Sequence, residues 1–578
     1  MTSKVLRRCL GATVLLLSVL AGMVWCQDLK PGIKAYERGD YDQAIQLISQ
    51  YVQQKPIDEQ GYFYLGECYS KKGAWDQAIE QYKKALGVKS KYLEAQSQLG
   101  WAYYAKGTYD EAEKTFTDGL KMKEIGEFWD GLGMVQMAKG MLNEADFSLR
   151  KAIALDEKNA KFQKHLGDVN FKKGVLVVAV QSYENALKLD SSQVEARLNL
   201  AQAYLQEVRF NEAMNEFKTV IRMNPKNTTA YLALGDIYML DGKHDAEARI
   251  MYEEYLKQGP QSAKVSLNLG IIYYRLSKML TSLVVEGDSL SKSGMLEKAI
   301  SYLQKSSGLS PEAPQAYLYL GRSYQDMKEY PKALEAFQSY ERILTQQKYE
   351  WKTEDADFWV NKGQVQAGIG DSVSRSDAVV SFEKAIKLDS TKTNAYSSMG
   401  AALFEEGKYT EAIPFFEKKI EADSSNANAH LNLALCYLKL EMYKDAVEPL
   451  SKVVELKPDN KASVDLLSRV YLNLNRFGEA KDCYLKEIQL DPTNCELQAN
   501  VGYCYMRLEN PAGAVPFYKK VTSCFPKRTD YLLNLAKALE LSKNIDEAYE
   551  YYVKVLEIDP KNKDATDGRD RIEMQRIK

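Results

Sequence analysis

The sequence predicts an all-α protein built from about fifteen copies of one helix-turn-helix unit. Three observations predict it: an alanine that returns mostly every 34 residues, a small residue twelve positions before most of these alanines, and a large residue four positions after them. A fixed period in this range indicates stacked supersecondary units, and spacings of three and four place residues on one helical face. The recurring alanines are Ala44, Ala78, Ala112, Ala145, Ala179, Ala213, Ala248, Ala299, Ala333, Ala378, Ala412, Ala446, Ala480, Ala514 and Ala548.

The small and large positions belong to the two helices of each unit. The small residue lets the helices approach closely, and the large residue fills the space beside them. Glycine ends the first helix, as at Gly73 and Gly107, and proline often stops the second, as at Pro225 and Pro458. The small positions include Gly66, Gly100, Gly133, Gly167, Ala201, Gly400, Ala434, Gly502 and Ala536.

This pattern resembles the tetratricopeptide repeat family over essentially the whole chain from residue 27 onwards. Two segments match the family pattern closely: YFYLGECYSKKGAWDQAIEQYKKAL at 62–86 and AYSSMGAALFEEGKYTEAIPFFEKKI at 395–420. The resemblance implies a right-handed superhelical solenoid of paired antiparallel helices with a concave groove. Each repeat would pack on its neighbours alone, so that stability is roughly a sum of local contributions. The function that the resemblance implies is binding of another polypeptide.

The first residues indicate export. Three basic residues precede an apolar stretch at 10–25, which is the pattern of a secretory signal. Because a membrane span needs about 20 apolar residues, we expect cleavage after Cys26 and a periplasmic location. The alternative is a lipid anchor on Cys26, as in bacterial lipoproteins, although Trp25 stands where that class has a small residue.

The expected organisation has five parts. They are a signal peptide at 1–26, repeats 1 to 7 at 27–262, repeats 8 and 9 at 263–355, repeats 10 to 15 at 356–562, and a capping helix at 563–578.

Two intervals between recurring alanines are long. The first, which begins at Ala248, holds an insertion at about 277–294, and the second, which begins at Ala333, holds a polar connector at about 346–355. The insertion has two interpretations. It is either a lengthened helix pair or surface loop, or a protrusion that contacts a partner, because it places apolar residues outside the repeat's own core. These are Leu280, Leu283, Val284 and Val285.

The charge of the chain is balanced. Its 77 lysines and arginines face 79 aspartates and glutamates, for a formal net charge of −2, and no long block has one sign. A nucleic-acid partner calls for a basic patch, and binding to anionic lipid calls for a basic amphipathic surface. We therefore expect neither a nucleic-acid partner nor binding to anionic lipid. We also expect no membrane span in the mature chain, because no segment after the first 26 residues is apolar enough.

No convergent cluster of reactive residues indicates catalysis. His165, His244 and His430 fall in different repeats, and the chain has no phosphate-binding glycine loop, zinc-spaced cysteine pair or serine elbow. We expect no enzyme activity, no metal and no cofactor, and we do not expect a small-molecule ligand. The alternative is an enzyme whose site these motifs do not reveal.

The cysteines suggest one disulfide. Cys495 begins the first helix of its repeat and Cys524 follows the second, so an antiparallel pair would bring them together. An exported protein has the oxidising surroundings for such a bond. Cys68, Cys436 and Cys504 lie in the middle of helices, where a buried thiol is expected.

The first helices carry a row of asparagines two residues before the small position, a site that faces inward in the family. An asparagine amide can donate to and accept from one extended peptide unit. The row resembles the asparagine ladder of the O-linked N-acetylglucosamine transferase repeats, which implies binding of a peptide backbone; the alternative is amides that cap a neighbour or face water. The lysine, asparagine and arginine set with which some members grip a terminal carboxylate is not found on adjacent repeats. The row consists of Asn199, Asn268, Asn361, Asn432, Asn500 and Asn534.

The sequence thus predicts a non-catalytic scaffold or adaptor that binds a protein or an extended peptide segment in its groove. The alternative is a cell-envelope assembly subunit of outer-membrane, secretion or polysaccharide-export machinery.

Overall fold

The computed structural model describes residues 28–240, 242–285 and 288–577. The expected signal peptide at 1–26, including Cys26, lies outside these residues. The chain divides after Gln261 into two units, each with its own internal contacts. In each unit a first helix, a short turn and a second helix form one repeat.

The first unit holds seven repeats within the described residues. Odd-numbered helices are first helices and even-numbered helices are second helices. In chain order they are α1 Lys30–Glu37, α2 Tyr41–Gln54, α3 Glu59–Lys71, α4 Trp75–Val88, α5 Leu93–Lys106, α6 Tyr109–Met122, α7 Gly126–Ala138, α8 Leu142–Leu155, α9 Ala160–Lys173, α10 Leu176–Leu189, α11 Val194–Gln206, α12 Phe210–Met223, α13 Thr228–Leu240 and α14 Asp245–Gln258.

The second unit holds eight repeats and a last single helix in the part of the chain that is described. Its elements are α15 Ala263–Met279, β1 Ser282–Val285, β2 Asp288–Ser291, α16 Lys292–Leu309, α17 Pro314–Asp326, α18 Tyr330–Gln346, a 3₁₀ turn Thr353–Asp355, α19 Ala356–Ile369, α20 Ser372–Leu388, α21 Thr393–Glu405, α22 Tyr409–Ala422, α23 Ala427–Lys439, α24 Tyr443–Leu456, α25 Lys461–Asn473, α26 Phe477–Leu490, α27 Cys495–Arg507, α28 Pro511–Cys524, α29 Thr529–Leu541, α30 Ile545–Ile558 and α31 Lys563–Ile577.

The predicted all-α superhelical repeat fold is confirmed. All fifteen recurring alanines lie on second helices and are fully buried. A Cβ atom at Gly66 would lie 2.5 Å from the ring of Tyr82, the large residue of the same repeat, and Gly235 is related to Tyr252 in the same way at 2.6 Å. Close packing leaves no room for a Cβ beside these two rings and only a methyl group where the small position is alanine, which explains why the small and large positions recur together.

The turn between the two helices keeps its shape with or without glycine. Gly107 ends α5 with a φ of 85°, in the left-handed region that glycine adopts without strain. In the second unit Glu441 and Asn475 take the same role with φ of 59° and 58°. A side chain in this region costs roughly 1–2 kcal/mol. The repeat packing therefore imposes the turn even where the glycine signal is missing.

The insertion at 277–294 forms a lengthened helix pair joined by a β-hairpin. Helix α15 continues to Met279, and β1 pairs antiparallel with β2 so that Leu283 lies opposite Leu290. The sequence did not predict these strands, because four-residue runs are too short for a reliable alternation. Met279 and Val284 are 71% and 67% exposed, so apolar side chains of the insertion face solvent.

The connector at 346–355 is packed against the next repeat. The ring of Trp351 stacks on Phe358 of α19 with centroids 5.2 Å apart, and the Tyr349 hydroxyl donates to the carboxylate of Asp355 at 2.9 Å. Two aromatic residues of this mainly polar segment, Tyr349 and Trp351, therefore hold it in place.

Helix α31 covers the last repeat of the second unit. Ala565 and Ile572 are fully buried in a cluster with Tyr552 of α30. Arg569 and Glu573, on the same helix, remain accessible to solvent. A terminal helix with one apolar and one charged side is what a repeat array needs at its end.

Candidate protein-binding surface

First helices form a surface of their own in each unit. The extensive contacts between helices that are two apart in the chain all join first helices, such as α7 with α9 in the first unit and α15 with α17 in the second. First helices therefore lie closer together than second helices and line the inner side of each stack. We call this surface the first-helix face.

The first-helix face of the first unit contains a pocket of about 530 Å³ between α7, α9 and α11. Met134, Met137 and Phe171 supply its apolar part. Asn199 and Gln202 on α11 supply amide groups at its edge. An apolar floor with a few convergent polar groups is typical of a site that binds a ligand.

Asp168 organises the polar side of this pocket. Its Oδ1 accepts hydrogen bonds of 2.8 Å from the Tyr183 hydroxyl and from Nδ2 of Asn199. Nζ of Lys164 lies 3.1 Å from its Oδ2 and 3.0 Å from Oε1 of Glu195. Burial opposes protonation of Lys164, but the two carboxylates outweigh it and raise its pKa, so the amine stays charged. The pocket wall is thus a fixed network that joins two repeats.

The tie between a core tyrosine and a carboxylate of the first helix recurs. Tyr82 donates to Glu67 at 2.6 Å, Tyr252 to Asp236 at 2.7 Å, and Tyr552 to Glu540 at 2.6 Å. Burial, with the neighbouring carboxylate, raises the pKa of Tyr82 and of Tyr552. Sequence reasoning missed this device. Its signal was a tyrosine, rather than phenylalanine, at the large position of a repeat whose first helix carries an acid.

His165 lies next to Lys164 on α9 and shares a buried hydrogen bond with Asp130. Its Nδ1 is 2.6 Å from Oδ1 of Asp130, and the two residues are 7% and 1% exposed. Lys161 approaches the same aspartate at 3.4 Å and lies 4.2 Å from the ring centroid of Trp101. The pair is too deeply enclosed to meet a substrate, which favours a structural role.

The other two histidines have separate surroundings. His244 contacts the ring of Tyr238 at 5.6 Å between centroids, and Nε2 of His430 is 3.0 Å from the carbonyl oxygen of Ser424. The three histidines thus have different contact partners and lie in different repeats.

The asparagine row is divided and interrupted. Asn199 lies in the first unit on α11, and the other five lie in the second unit, where Tyr319, Ser398 and Leu466 hold the same site in intervening repeats. Asn500 and Asn534, on α27 and α29, stand on adjacent repeats of that unit. Asn534 is exposed and the other five are half-buried. A continuous ladder is therefore absent from the described residues, while single amides remain available. No side-chain hydrogen bond to described residues engages Asn361, Asn432, Asn500 or Asn534.

A different chain of polar side chains crosses three consecutive repeats of the second unit. Nε2 of Gln325 donates to Oε1 of Gln364 at 3.1 Å, and Nε2 of Gln364 donates to Oγ of Ser398 at 3.4 Å. A pocket of about 450 Å³ lies beside it, lined also by Arg375 and Glu405. These side chains occupy different positions within their repeats, so a search by period could not align them.

The structure joins Cys495 and Cys524 by a disulfide between the start of α27 and the end of α28, with the Cα atoms 6.4 Å apart. Cys68, Cys436 and Cys504 are buried free thiols. Burial raises the pKa of Cys68 to about 12 and those of Cys436 and Cys504 to about 11. Such thiols are poor nucleophiles and poor metal ligands.

In the part of the chain that is described, no group of three or more histidine, cysteine, aspartate or glutamate side chains could hold a metal ion. Over the same residues, no helix has the length and apolar character that crossing a membrane requires.

Fold and surface together define a protein of stacked helix-turn-helix repeats with an inner face open to a ligand. Models of the tetratricopeptide repeat match ten segments of this sequence between residue 35 and residue 562, and the chain belongs to that family. The matched segments are 35–86, 66–107, 93–125, 126–159, 177–217, 198–263, 284–348, 403–468, 464–494 and 529–562.

Several solved structures are similar to parts of the chain. A thermophilic tetratricopeptide repeat protein of Thermus thermophilus is 24% identical with a TM-score of 0.28, over 31% of this chain and 97% of that one. PilF of Pseudomonas aeruginosa is 22% identical with a TM-score of 0.32, over 39% and 94%. YrrB, described as having an unusual peptide-binding site, is 22% identical with a TM-score of 0.26, over 32% and 96%. No curated protein sequence matches this chain.

Tetratricopeptide repeats present surfaces to other proteins, and this chain is a protein–protein interaction scaffold. Proteins of the family are generally non-catalytic.

Proposed function

We propose that this protein is a non-catalytic adaptor that binds an extended segment of a partner protein along the first-helix face. The observation that supports it best is the pocket between α7, α9 and α11, where an apolar floor adjoins a fixed polar wall. An apolar side chain of the partner would occupy the floor formed by Met134, Met137 and Phe171.

Asn199 would contact the partner's backbone at the edge of the pocket. Its Nδ2 donates to Asp168, which fixes the amide and leaves Oδ1 as an acceptor for a peptide N–H. Burial of one aliphatic side chain contributes about 1.5–3 kcal/mol and one hydrogen bond about 1 kcal/mol. One pocket alone would therefore bind weakly, and useful affinity requires a segment that spans several repeats.

The test is a crosslinking pull-down of residues 27–578 from cells of the native organism, with two variants of the fourth repeat. Met137→Asp places a charge in the pocket floor, and Phe147→Asp places one on α8, where Phe147 is already 56% exposed. We expect partners to be lost with Met137→Asp and kept with Phe147→Asp, while both variants retain the helical circular dichroism of the parent. Equal recovery with both variants would overturn the proposal.

The asparagine row is tested by a separate variant in the same pull-down. A variant with Asn361, Asn432, Asn500 and Asn534 changed to alanine removes four amides from the second unit without touching the pocket of the first. Loss of partners would support a contribution of these amides to binding. Unchanged recovery would refute the asparagine hypothesis while leaving the pocket hypothesis intact.

We also propose that the protein is exported and acts in a periplasm. The basic and apolar pattern of residues 1–26 supports this, and so does the disulfide between Cys495 and Cys524, which requires an oxidising compartment. The second candidate is a lipid-tethered subunit of an envelope assembly. Intact mass of the protein from native cells separates the two, because a chain that begins at Gln27 excludes the tether and an acylated Cys26 supports it. A chain that keeps residues 1–26 uncut would refute both.

A further inference from the structure

Arg322 carries a charge that the described residues do not neutralise. It lies half-buried on α17, on the first-helix face of the second unit, and its Nε is enclosed without a hydrogen-bond partner. Arg197, Arg249 and Arg275 also have an enclosed Nε, but the guanidinium of Arg197 pairs with Glu216, that of Arg249 pairs with Glu253, and Arg275 has an interaction of its own. No carboxylate of the described residues lies within 4.0 Å of Arg322. An enclosed donor without a partner is rare in native proteins and calls for an explanation.

The surroundings hold Arg322 in place without satisfying it. Its guanidinium carbon is 5.4 Å from the ring centroid of Tyr319, one turn earlier on the same helix. The nearest acid on that helix, Asp326, is engaged by Nζ of Lys278 at 2.5 Å. Tyr274 of α15, the preceding first helix, packs its ring edge-on against Tyr319 at 5.6 Å. Arg322 thus lies against one aromatic ring that a second ring contacts, and the acid of its own helix is already paired with Lys278.

The positive charge of Arg322 acts on two further tyrosines. Burial raises the pKa of Tyr274, Asp326 adds to the rise, and Lys278 and Arg322 oppose it. Burial also raises the pKa of Tyr340 on α18, and Arg322 again opposes the rise. The charge of Arg322 is therefore felt by a tyrosine of α15 and by a tyrosine of α18, the second helix of its own repeat.

We propose that Arg322 binds the side-chain carboxylate of an aspartate or glutamate in the partner segment. This inference rests on the proposed function and names the chemistry of its ligand. A guanidinium presents a planar fork of donors that matches a carboxylate, and the pair is strongest where water is partly excluded. Gln325 lies one turn further along α17 and begins the polar chain to Gln364, so amides for the adjoining backbone are close by.

The alternative carboxylate is the free end of a chain. Grip on a chain end by members that this sequence resembles uses a lysine, asparagine and arginine set, and that set is not found on adjacent repeats of this sequence. A single guanidinium framed by tyrosines fits a side-chain carboxylate within a longer segment.

The experiment uses random twelve-residue peptides displayed on phage, selected on the purified chain of residues 27–578. Selected peptides are synthesised and titrated against the parent, Arg322→Gln, Arg322→Lys, Arg342→Gln and Met137→Asp. Arg342 is the matched control, an exposed arginine on α18 of the same repeat. Circular dichroism checks that each variant keeps its helices.

We expect selected peptides to be enriched in aspartate and glutamate. Arg322→Gln should weaken their binding at least tenfold, Arg322→Lys should recover part of it, and Arg342→Gln should leave it unchanged. Changing the peptide's acid to its amide should cause the same loss on the parent and little further loss on Arg322→Gln, because the two changes remove one contact.

Three outcomes would overturn the inference. Peptides that depend on Met137 but lose nothing with Arg322→Gln would leave the proposed function standing without it. A loss caused by amidation of the peptide's end, rather than by change of its acid, would assign Arg322 to a terminal carboxylate. A selection that yields no peptide bound to either first-helix face would remove the proposed function and this inference together.

Discussion

Nδ2 of Asn199 donates a 2.8 Å hydrogen bond to Oδ1 of Asp168, so an amide on α11 is held by a carboxylate on α9 of the preceding repeat. The asparagine row predicts Asn199 as a contact for a partner, and the structure adds that it also fastens two repeats. One amide would thus serve both binding and stability, and the two roles can be separated by experiment.

Asn199→Ala should loosen these two repeats alone. The loss of one partly buried hydrogen bond corresponds to about 1 kcal/mol, because Asp168 keeps Tyr183 and Lys164. Hydrogen exchange followed by mass spectrometry should show faster exchange in α9 and α11 and no change in α29. Lys188→Ala, at an exposed position of α10, is the control. Faster exchange along the whole chain would contradict the local character of the repeats.

Two glycines of the second repeat should respond to alanine in opposite ways. Gly66→Ala forces a Cβ to within 2.5 Å of the Tyr82 ring and should destabilise the repeat by about 1–3 kcal/mol. Gly87→Ala meets no atom within 4 Å on α4 and should stabilise it by up to about 1 kcal/mol. Hydrogen exchange of α3 and α4 measures both. Similar effects of the two changes would mean that helix propensity, and not packing, governs the small position.

Removal of the disulfide should weaken the fourteenth repeat. The bond closes a loop between residues 29 apart, and replacement of both cysteines by serine should cost about 3 kcal/mol of local stability. Unfolding in urea with and without a reducing agent tests this, since the reducing agent should destabilise the parent and not the variant. Cys504→Ser, which removes a buried free thiol, is the control.

The same bond tests the location of the protein. Mass spectrometry of unreduced protein from native cells should find the peptides of Cys495 and Cys524 linked. Free thiols at both positions in cells would argue against export.

Glu487 should make the stability of the thirteenth repeat depend on pH. Its carboxylate is buried, 1% exposed, and accepts a 2.7 Å hydrogen bond from Oγ of Ser468. Burial raises its pKa above the ordinary value, so the folded state binds this proton more tightly than the unfolded state. The stabilisation is complete below the ordinary pKa and is lost as pH rises through the raised value.

Glu487→Gln should therefore increase stability at neutral pH relative to the parent and flatten the fall in stability above pH 4.5. Urea unfolding at a series of pH values, read from hydrogen exchange of α25 and α26, provides the measurement. Glu448→Gln, at an exposed position of α24, should leave the profile unchanged. A steeper fall in Glu487→Gln would show that the carboxylate is satisfied as an anion.

The hairpin between α15 and α16 should tolerate charge without loss of stability. Val284→Asp replaces a side chain that is 67% exposed, so the free energy of unfolding should stay within about 0.5 kcal/mol of the parent. Leu276→Asp, at a buried position of α15, should destabilise the unit by several times more. If Val284→Asp also keeps every partner in the pull-down, the hairpin is a structural connection; if partners are lost while stability holds, it is a contact surface.

The sequence predicted some features of the candidate site and not others. The period placed Asn199 on a first helix correctly, because position within a repeat fixes the helical face. It could not place Asp168, Lys164 and Glu195 around it, since contacts between repeats depend on how neighbouring helices pack. The hairpin strands and the packing of Trp351 in the connector were not predicted, because they occur once and so have no period to reveal them.

The repeat pattern was sufficient to predict the fold class, about fifteen repeats and the alanines of the core. The same packing pattern recurs in each repeat, so its small and large positions can be recognised by their spacing. Alanines such as Ala44 and Ala548 mark the places where two helices meet closely. Only the packing of neighbouring repeats shows which groups share a pocket, which carboxylates accept a hydrogen bond from a tyrosine hydroxyl, and that the enclosed guanidinium of Arg322 has no carboxylate within 4.0 Å among the described residues. These properties depend on contacts between helices, which the order of residues within one repeat does not specify.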